Sequence, residues 1–205
     1  EHSMFCVARD ITQRKGAQEK LRILATFDDL TGLMNRAAIK SFLAREMDRA
    51  TCEDRALSVI LLDLDHFKLV NDTHGHAAGD IVLQAAAQRI KSSLRGYDEV
   101  GRYGGEEFLI VAPSCSIENV MTLVERIRNN IGNTPVDIDG KMLPISCSLG
   151  AASIATGQRE DIDALIERAD AALYRAKANG RNQGELALLH DSSLLDSAQT
   201  ALICH

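Results

Sequence analysis

The 205-residue chain has no apolar run near the ~18 residues that cross a bilayer. It also opens on no secretory leader, so a soluble, cytoplasmic piece without membrane contact is expected. A CxxC pair is missing too. Five cysteines (Cys6, Cys52, Cys115, Cys147, Cys204) are scattered and odd in number, which excludes a disulfide framework, gives a zinc site little support and reads as reduced thiols. Positive charge is in deficit: a net charge of -6 and a pI near 5.5 argue against nucleic acid as partner, since duplex binding needs a dominant positive field. A small anion held by local basic groups stays open. Internal repeats and low-complexity tracts are absent.

What is present, 45% hydrophobic residues, suffices for one sizeable core. Residues 1–13 read as the remnant of something upstream. Ala17, Leu21 and Leu24 then form the narrow seam of a helix over 14–27, either a short signalling coiled coil or a single packed helix. Asp28 to Arg36 (DDLTGLMNR) interrupts it, and Asn35 is placed to cap a helix running to about Ala50. Leu57 to Asp65 reads as a fully buried strand, Asn71 to Asp80 (NDTHGHAAGD) as a glycine-punctuated loop, and Leu83, Ala87, Ile90 and Leu94 as a helix ending near Arg95. A hairpin through Gly104 and Gly105, a helix over 117–131, a strand over 145–153 and a regular amphipathic helix through Ile162, Leu165, Ala169, Leu173 and Ala176 complete the series. The order contains βαββαβ. An α+β, ferredoxin-like palm follows, with helices on one face of the sheet, over residues 28–184, leaving 185–205 as a tail without a role.

Two segments carry chemistry. RYGGEEF (Arg102 to Phe108) joins two glycines, suited to the positive torsions of a two-residue hairpin turn, to two carboxylates, Glu106 and Glu107. The buried strand LSVILLDLDHFK delivers Asp63 and Asp65 to its end. If Asp63 and Glu106 converge, two hard carboxylates suit Mg²⁺, which takes oxygen ligands and completes its shell with water and phosphate. A nucleoside triphosphate would be the third party; the plainer alternative is that these acids solvate strand ends. Lys177 and Arg181, four residues apart, share a face if the last helix persists and with Lys68 could bind phosphate; the blander alternative is a basic helix end that complements the macrodipole. Asn71 and Asp80 could read a purine, guanine best, because its N1–H and N2 amino group both donate to a carboxylate; turn and cap roles compete.

Together the segments DDLTGLMNR, LLDLDHFKLVNDTHGHAAGD, RGYD, RYGGEEF, ISCSLG and ALYRAKANGRN resemble the GGDEF family of diguanylate cyclases, from Asp28 to Asn182. The resemblance implies a nucleotidyl-cyclase-like palm that condenses two GTP into cyclic di-GMP and pyrophosphate across a homodimer, with Glu106 as an accepted variant of the usual aspartate. It makes Asp63, Glu106 and the Leu64 carbonyl ligands of Mg²⁺, with Mn²⁺ a possible substitute, and Glu107 a further catalytic contributor. Backbone at His66 and Phe67, the glycines 104 and 105, and the cations Lys68, Lys177 and Arg181 would hold the triphosphate, while Asn71 and Asp80 read guanine. Arg95 and Asp98 of RGYD match the family's inhibitory site for its own product, and Arg126 matches a secondary arginine that closes it. The opening VARDITQRK is similar to the exit of a PAS sensor. A silent module that binds GTP or cyclic di-GMP for a partner domain is the competing reading, and a class III cyclase or polymerase palm a third.

Overall fold

The computed structural model describes residues 25–158 and 160–187. The PAS-like remnant, most of the proposed signalling helix and the tail beyond 187 lie outside them.

Helix α1 (Arg36–Glu53) starts where the Asn35 side chain accepts from the Ala38 N–H, and it stops at Asp54 in a left-handed conformation. Strand β1 (Leu57–Leu64) follows, then the short helix α2 (Phe67–His74), and α3 (His76–Ser92). The segment expected as a loop over 71–80 is thus helical on both sides of Gly75. That glycine takes φ +84°, ends α2 and begins α3, so a single flexible residue makes the corner that periodicity blurred into a loop. Strands β2 (Glu99–Arg102) and β3 (Glu107–Pro113), helix α4 (Ile117–Gly132), the small hairpin β4 (Val136–Ile138) and β5 (Lys141–Leu143), strand β6 (Cys147–Ile154), helix α5 (Ile162–Ala178) and strand β7 (Gly184–Leu186) complete the order.

The main sheet runs β2-β3-β1-β6-β7, antiparallel except for the parallel β6–β7 pair. It is the βαββαβ palm expected, with one correction: helices cover both faces. Leu57, Val59 and Leu61 pack with α1 and α5, whereas Ile60, Leu62 and Leu64 pack with α3 and α4. Alternation along β1 therefore sends residues into two cores, which is why the strand reads as an unbroken apolar run. Hairpin β4–β5 and strand β7 were not anticipated. Three-residue strands carry too little pattern, and β7 draws the first residues of the supposed tail into the sheet.

Among the described residues no helix is long and apolar enough to cross a membrane. Cys52 is exposed while Cys115 and Cys147 are buried, all as free thiols.

The DDLTGLMNR segment is tied to the sheet by Asp28. Its carboxylate accepts from the Thr31 N–H at 2.9 Å and hydroxyl at 2.7 Å, and from Arg102 at 3.3 Å. Burial pushes this carboxyl up, but the Thr31 hydrogen bonds and the Arg102 charge together hold it below the usual aspartate value. A depressed folded value means stability present above the ordinary range and lost as pH falls through the folded one. Asp28→Asn should cost about 1 kcal/mol in urea unfolding at neutral pH, and the gap to wild type should close below about pH 4.

Candidate active site

Register brings the acids together. Asp63 sits at the end of β1 between Glu107 of β3 and Ser148 of β6, and the Leu64 N–H donates to the Glu106 carbonyl at 3.3 Å. Asp63 and Glu107, directly opposed on antiparallel strands, share the α5 face of the sheet. Glu106 precedes β3 in the connection. Its carboxyl is raised by burial and then by the charge of Asp63, with Lys177 pulling the other way, so the two acids feel one another.

The glycine turn differs from expectation. Neither Gly104 nor Gly105 has a left-handed φ, and residues 103–106 form a longer connection closed by the Tyr103 and Gly104 N–H groups on the Glu107 carbonyl at 2.8 and 3.2 Å. Arg102 braces it by donating to the Gly105 carbonyl at 2.8 Å. Gly104 instead makes room for a side chain: a Cβ there would stand 2.3 Å from Glu107 Oε2, so a larger residue would push that carboxylate aside.

Helix α5 supplies the cation. Lys177 Nζ lies 2.8 Å from Asp63 Oδ2, the aspartate largely sheltered from water and the lysine partly exposed. Burial raises the Asp63 carboxyl above its ordinary value; the Lys177 hydrogen bond and charge oppose it, as Arg181 does more weakly. Lys177 and Arg181 do not share a helix face, because α5 ends at Ala178 and Gly180 turns the chain at φ +115°. Arg181 instead follows in a left-handed conformation, φ +64°, and still acts on Asp63.

The donor set fits a divalent ion only in part. Among the described residues no three acidic, histidine or cysteine side chains gather to chelate an ion unaided. Asp63, Glu106 and the Leu64 carbonyl at the same strand end would leave the rest of an octahedral shell to water and phosphate, as Mg²⁺ prefers. Two carboxylates raised by burial share the one bonded ammonium of Lys177, with the Arg181 charge acting on Asp63 besides.

His66, φ +57°, caps α2 without a side-chain bond, so the first-turn N–H groups of α2, through Phe67 and Lys68, are oriented for an anion; Phe67 is buried while His66 and Lys68 are exposed. Across the Gly75 corner, Asn71 of α2 lies against Gly79 of α3, one residue before the exposed Asp80: a Cβ on Gly79 would sit 2.0 Å from Asn71 Oδ1. Sequence reasoning missed that Gly79 makes room for this amide, although its place one residue from Asp80 was in view.

The RGYD turn is a separate feature. Arg95 Nε and Nη2 reach the two Asp98 oxygens, each at 3.0 Å, the Arg95 N–H adds a third bond, and the guanidinium lies 4.7 Å from the Tyr97 ring centre. Asp98 is buried. Arg126 is exposed on α4, one turn before Asn130, whose amide bonds Ser92 and Ser93 at the foot of this turn.

Residues 25–183 match the family model for the diguanylate cyclase GGDEF domain. The chain is 42% identical over 169 residues to diguanylate cyclase DgcP of Pseudomonas aeruginosa, covering 82% of this chain and 25% of that protein. Among solved structures it resembles the coiled coil and GGDEF domain of Caulobacter crescentus DgcB in complex with c-di-GMP (TM-score 0.80, 33% identity, 87% of this chain and 94% of that one). It also resembles the active GGEEF domain of a Vibrio cholerae diguanylate cyclase (TM-score 0.70, 35% identity, 76% and 98%). The chain spans only a quarter of DgcP and 43% of another relative, DgcM of Escherichia coli.

Proposed function

The chain belongs to the GGDEF family of diguanylate cyclases, and on that premise we propose that it condenses two GTP into cyclic di-GMP and two pyrophosphates, Mg²⁺-dependent, across a homodimer. The observation that carries the reading is the convergence of Asp63, Glu106, Lys177 and Arg181 at one strand end, two acids and two cations where a triphosphate and its counter-ion would lie. The active GGEEF domain of the Vibrio cholerae enzyme supports glutamate at position 106.

Mg²⁺, or Mn²⁺ in its place, held by Asp63, Glu106 and the Leu64 carbonyl, would supply Lewis-acid relief of phosphate charge. The first-turn N–H groups of α2 and Lys68 hold phosphate oxygens, and Lys177, released from Asp63, follows the negative charge to the departing pyrophosphate, with Arg181 beside it. The 3′-hydroxyl of one GTP attacks the α-phosphorus of the other. A single subunit offers one such cleft, so two-fold docking of two subunits supplies the second reactant in line. Asn71 and Asp80 read guanine. Gly79→Ala must displace the Asn71 amide, and it should raise the GTP KM about tenfold, the worth of roughly one hydrogen bond, while leaving the melting temperature close to wild type.

RGYD serves as the inhibitory product site, closed by Arg126: guanine edges and phosphates suit the guanidinium of Arg95, which Asp98 holds in place and Tyr97 backs. Added cyclic di-GMP should slow the wild type and leave Arg95→Ala unaffected. An upstream PAS-like sensor in the parent protein would set the dimer. The decisive assay incubates the purified chain with GTP and Mg²⁺ and separates nucleotides by chromatography. Appearance of pppGpG and cyclic di-GMP supports the cyclase; GTP retained without turnover would replace it with the binding-module reading.

A further inference from the structure

The carboxylate that follows the metal-side acid, Asp65, is almost wholly enclosed yet forms no ion pair among the described residues; its exposure is 9%. Both oxygens are committed. Oδ1 accepts from the Ser148 hydroxyl at 2.7 Å, and Oδ2 accepts from the Ser146 hydroxyl at 2.7 Å and from the backbone N–H of Asn182 at 3.0 Å. The last bond joins residues 117 apart, fastening the end of β1 to the turn after α5.

That turn is strained. Gly180, Arg181 and Asn182 stand in succession at φ +115°, +64° and +47°. A non-glycine residue pays on the order of 1 kcal/mol or more in the left-handed region, and two in a row persist only where the surroundings over-determine them. The restraints are visible: the Arg181 N–H donates to the Ala176 carbonyl at 3.0 Å, Arg128 reaches the Asn182 side chain at 3.3 Å, the Leu149 N–H donates to the Gln183 carbonyl at 3.0 Å, and Asp65 holds the Asn182 N–H. Among the described residues no hydrogen bond or ion pair holds the Arg181 guanidinium, so its backbone aims it, and the charge still reaches Asp63.

We propose that Asp65 is a positioning residue, which clamps the left-handed turn 180–182 so that Arg181 is presented to the cleft of Asp63 and Glu106. A carboxylate accepts all three bonds with charge-assisted strength, whereas an amide keeps one acceptor oxygen and must turn the Ser148 hydroxyl round to accept from its N–H, weakening the clamp. The inference rests on the assignment of Arg181 to substrate phosphate made above. It places the work of Asp65 in substrate binding rather than in the bond-making step.

A double-mutant cycle tests it. GTP affinity, KM and kcat are measured for wild type, Asp65→Asn, Arg181→Ala and the pair, with thermal unfolding of each. Expected is a roughly tenfold rise in Kd and KM for GTP in Asp65→Asn with kcat changed less, and a double variant no weaker than Arg181→Ala alone, since residues acting through one another are non-additive. Asp65→Glu, which keeps the charge and both acceptors, should recover part of the loss. Fully additive losses, or an Asp65→Asn variant that melts earlier yet binds GTP like wild type, would overturn the clamp while leaving the cyclase reading intact. A wild type that binds no GTP would overturn both.

Discussion

Glu106→Gln should cut turnover of GTP about a thousandfold, the effect of removing roughly 4 kcal/mol of barrier lowering, while the fold melts within a few degrees of wild type. The substitution keeps size and one acceptor oxygen, and exchanges the other oxygen and the charge for an amide N–H donor. Because the Glu106 carboxyl is raised by burial and by Asp63, loss of its charge relieves repulsion in the resting protein, so a small gain in stability, reduced by solvent screening, is the direction expected. Activity and stability then move oppositely, a combination that separates a functional acid from one that solvates a strand end. Initial-rate chromatography of cyclic di-GMP beside a urea titration checks both. A variant within threefold of wild-type turnover would remove Glu106 from the catalytic set.

The second large effect is structural. Gly150→Ala, in the middle of β6, should destabilise the domain by about 3 kcal/mol, or ~1.5 M in the urea midpoint at an m-value near 2 kcal/mol/M. A Cβ at this position would stand 2.1 Å from the Ala169 carbonyl oxygen and 2.2 Å from the Leu173 nitrogen, both backbone atoms of α5, which cannot swing aside as a side-chain tip can. The helix must lift from the sheet. Since α5 carries Lys177 to Asp63, the same lift lengthens the 2.8 Å ion pair, and GTP affinity should weaken along with stability. An unchanged urea midpoint would mean that α5 does not bear on β6 so closely.

These cases show where the sequence was legible. Strand β1, helices α4 and α5, the Asn35 cap and the two acid-bearing segments were readable because each is set by neighbours a few residues away, through apolar period or a capping side chain. Reading the 71–80 segment as a loop failed because Gly75 and Gly79 look alike in a string and differ in place. Gly75 makes a corner, whereas Gly79 lies within α3 and makes room for Asn71. The pair Gly104–Gly105 suggested a tight turn by residue type, yet the chain uses the first of them for the Glu107 side chain and neither for a positive φ.

Sequence alone determined which chemical groups exist, their order and the motifs that mark a GGDEF domain, because motif spacing and local periodicity are properties of short stretches. Tertiary structure alone decided that helices cover both faces of the sheet, that Lys177 bonds Asp63, and that Arg181 stands in a left-handed turn rather than on a helix face, its charge acting on Asp63. The last two outcomes join residues more than a hundred positions apart, as Asp65 and Asn182 are, and such contacts follow from how the sheet pairs and how closely α5 settles on Gly150, which no window of neighbouring residues contains.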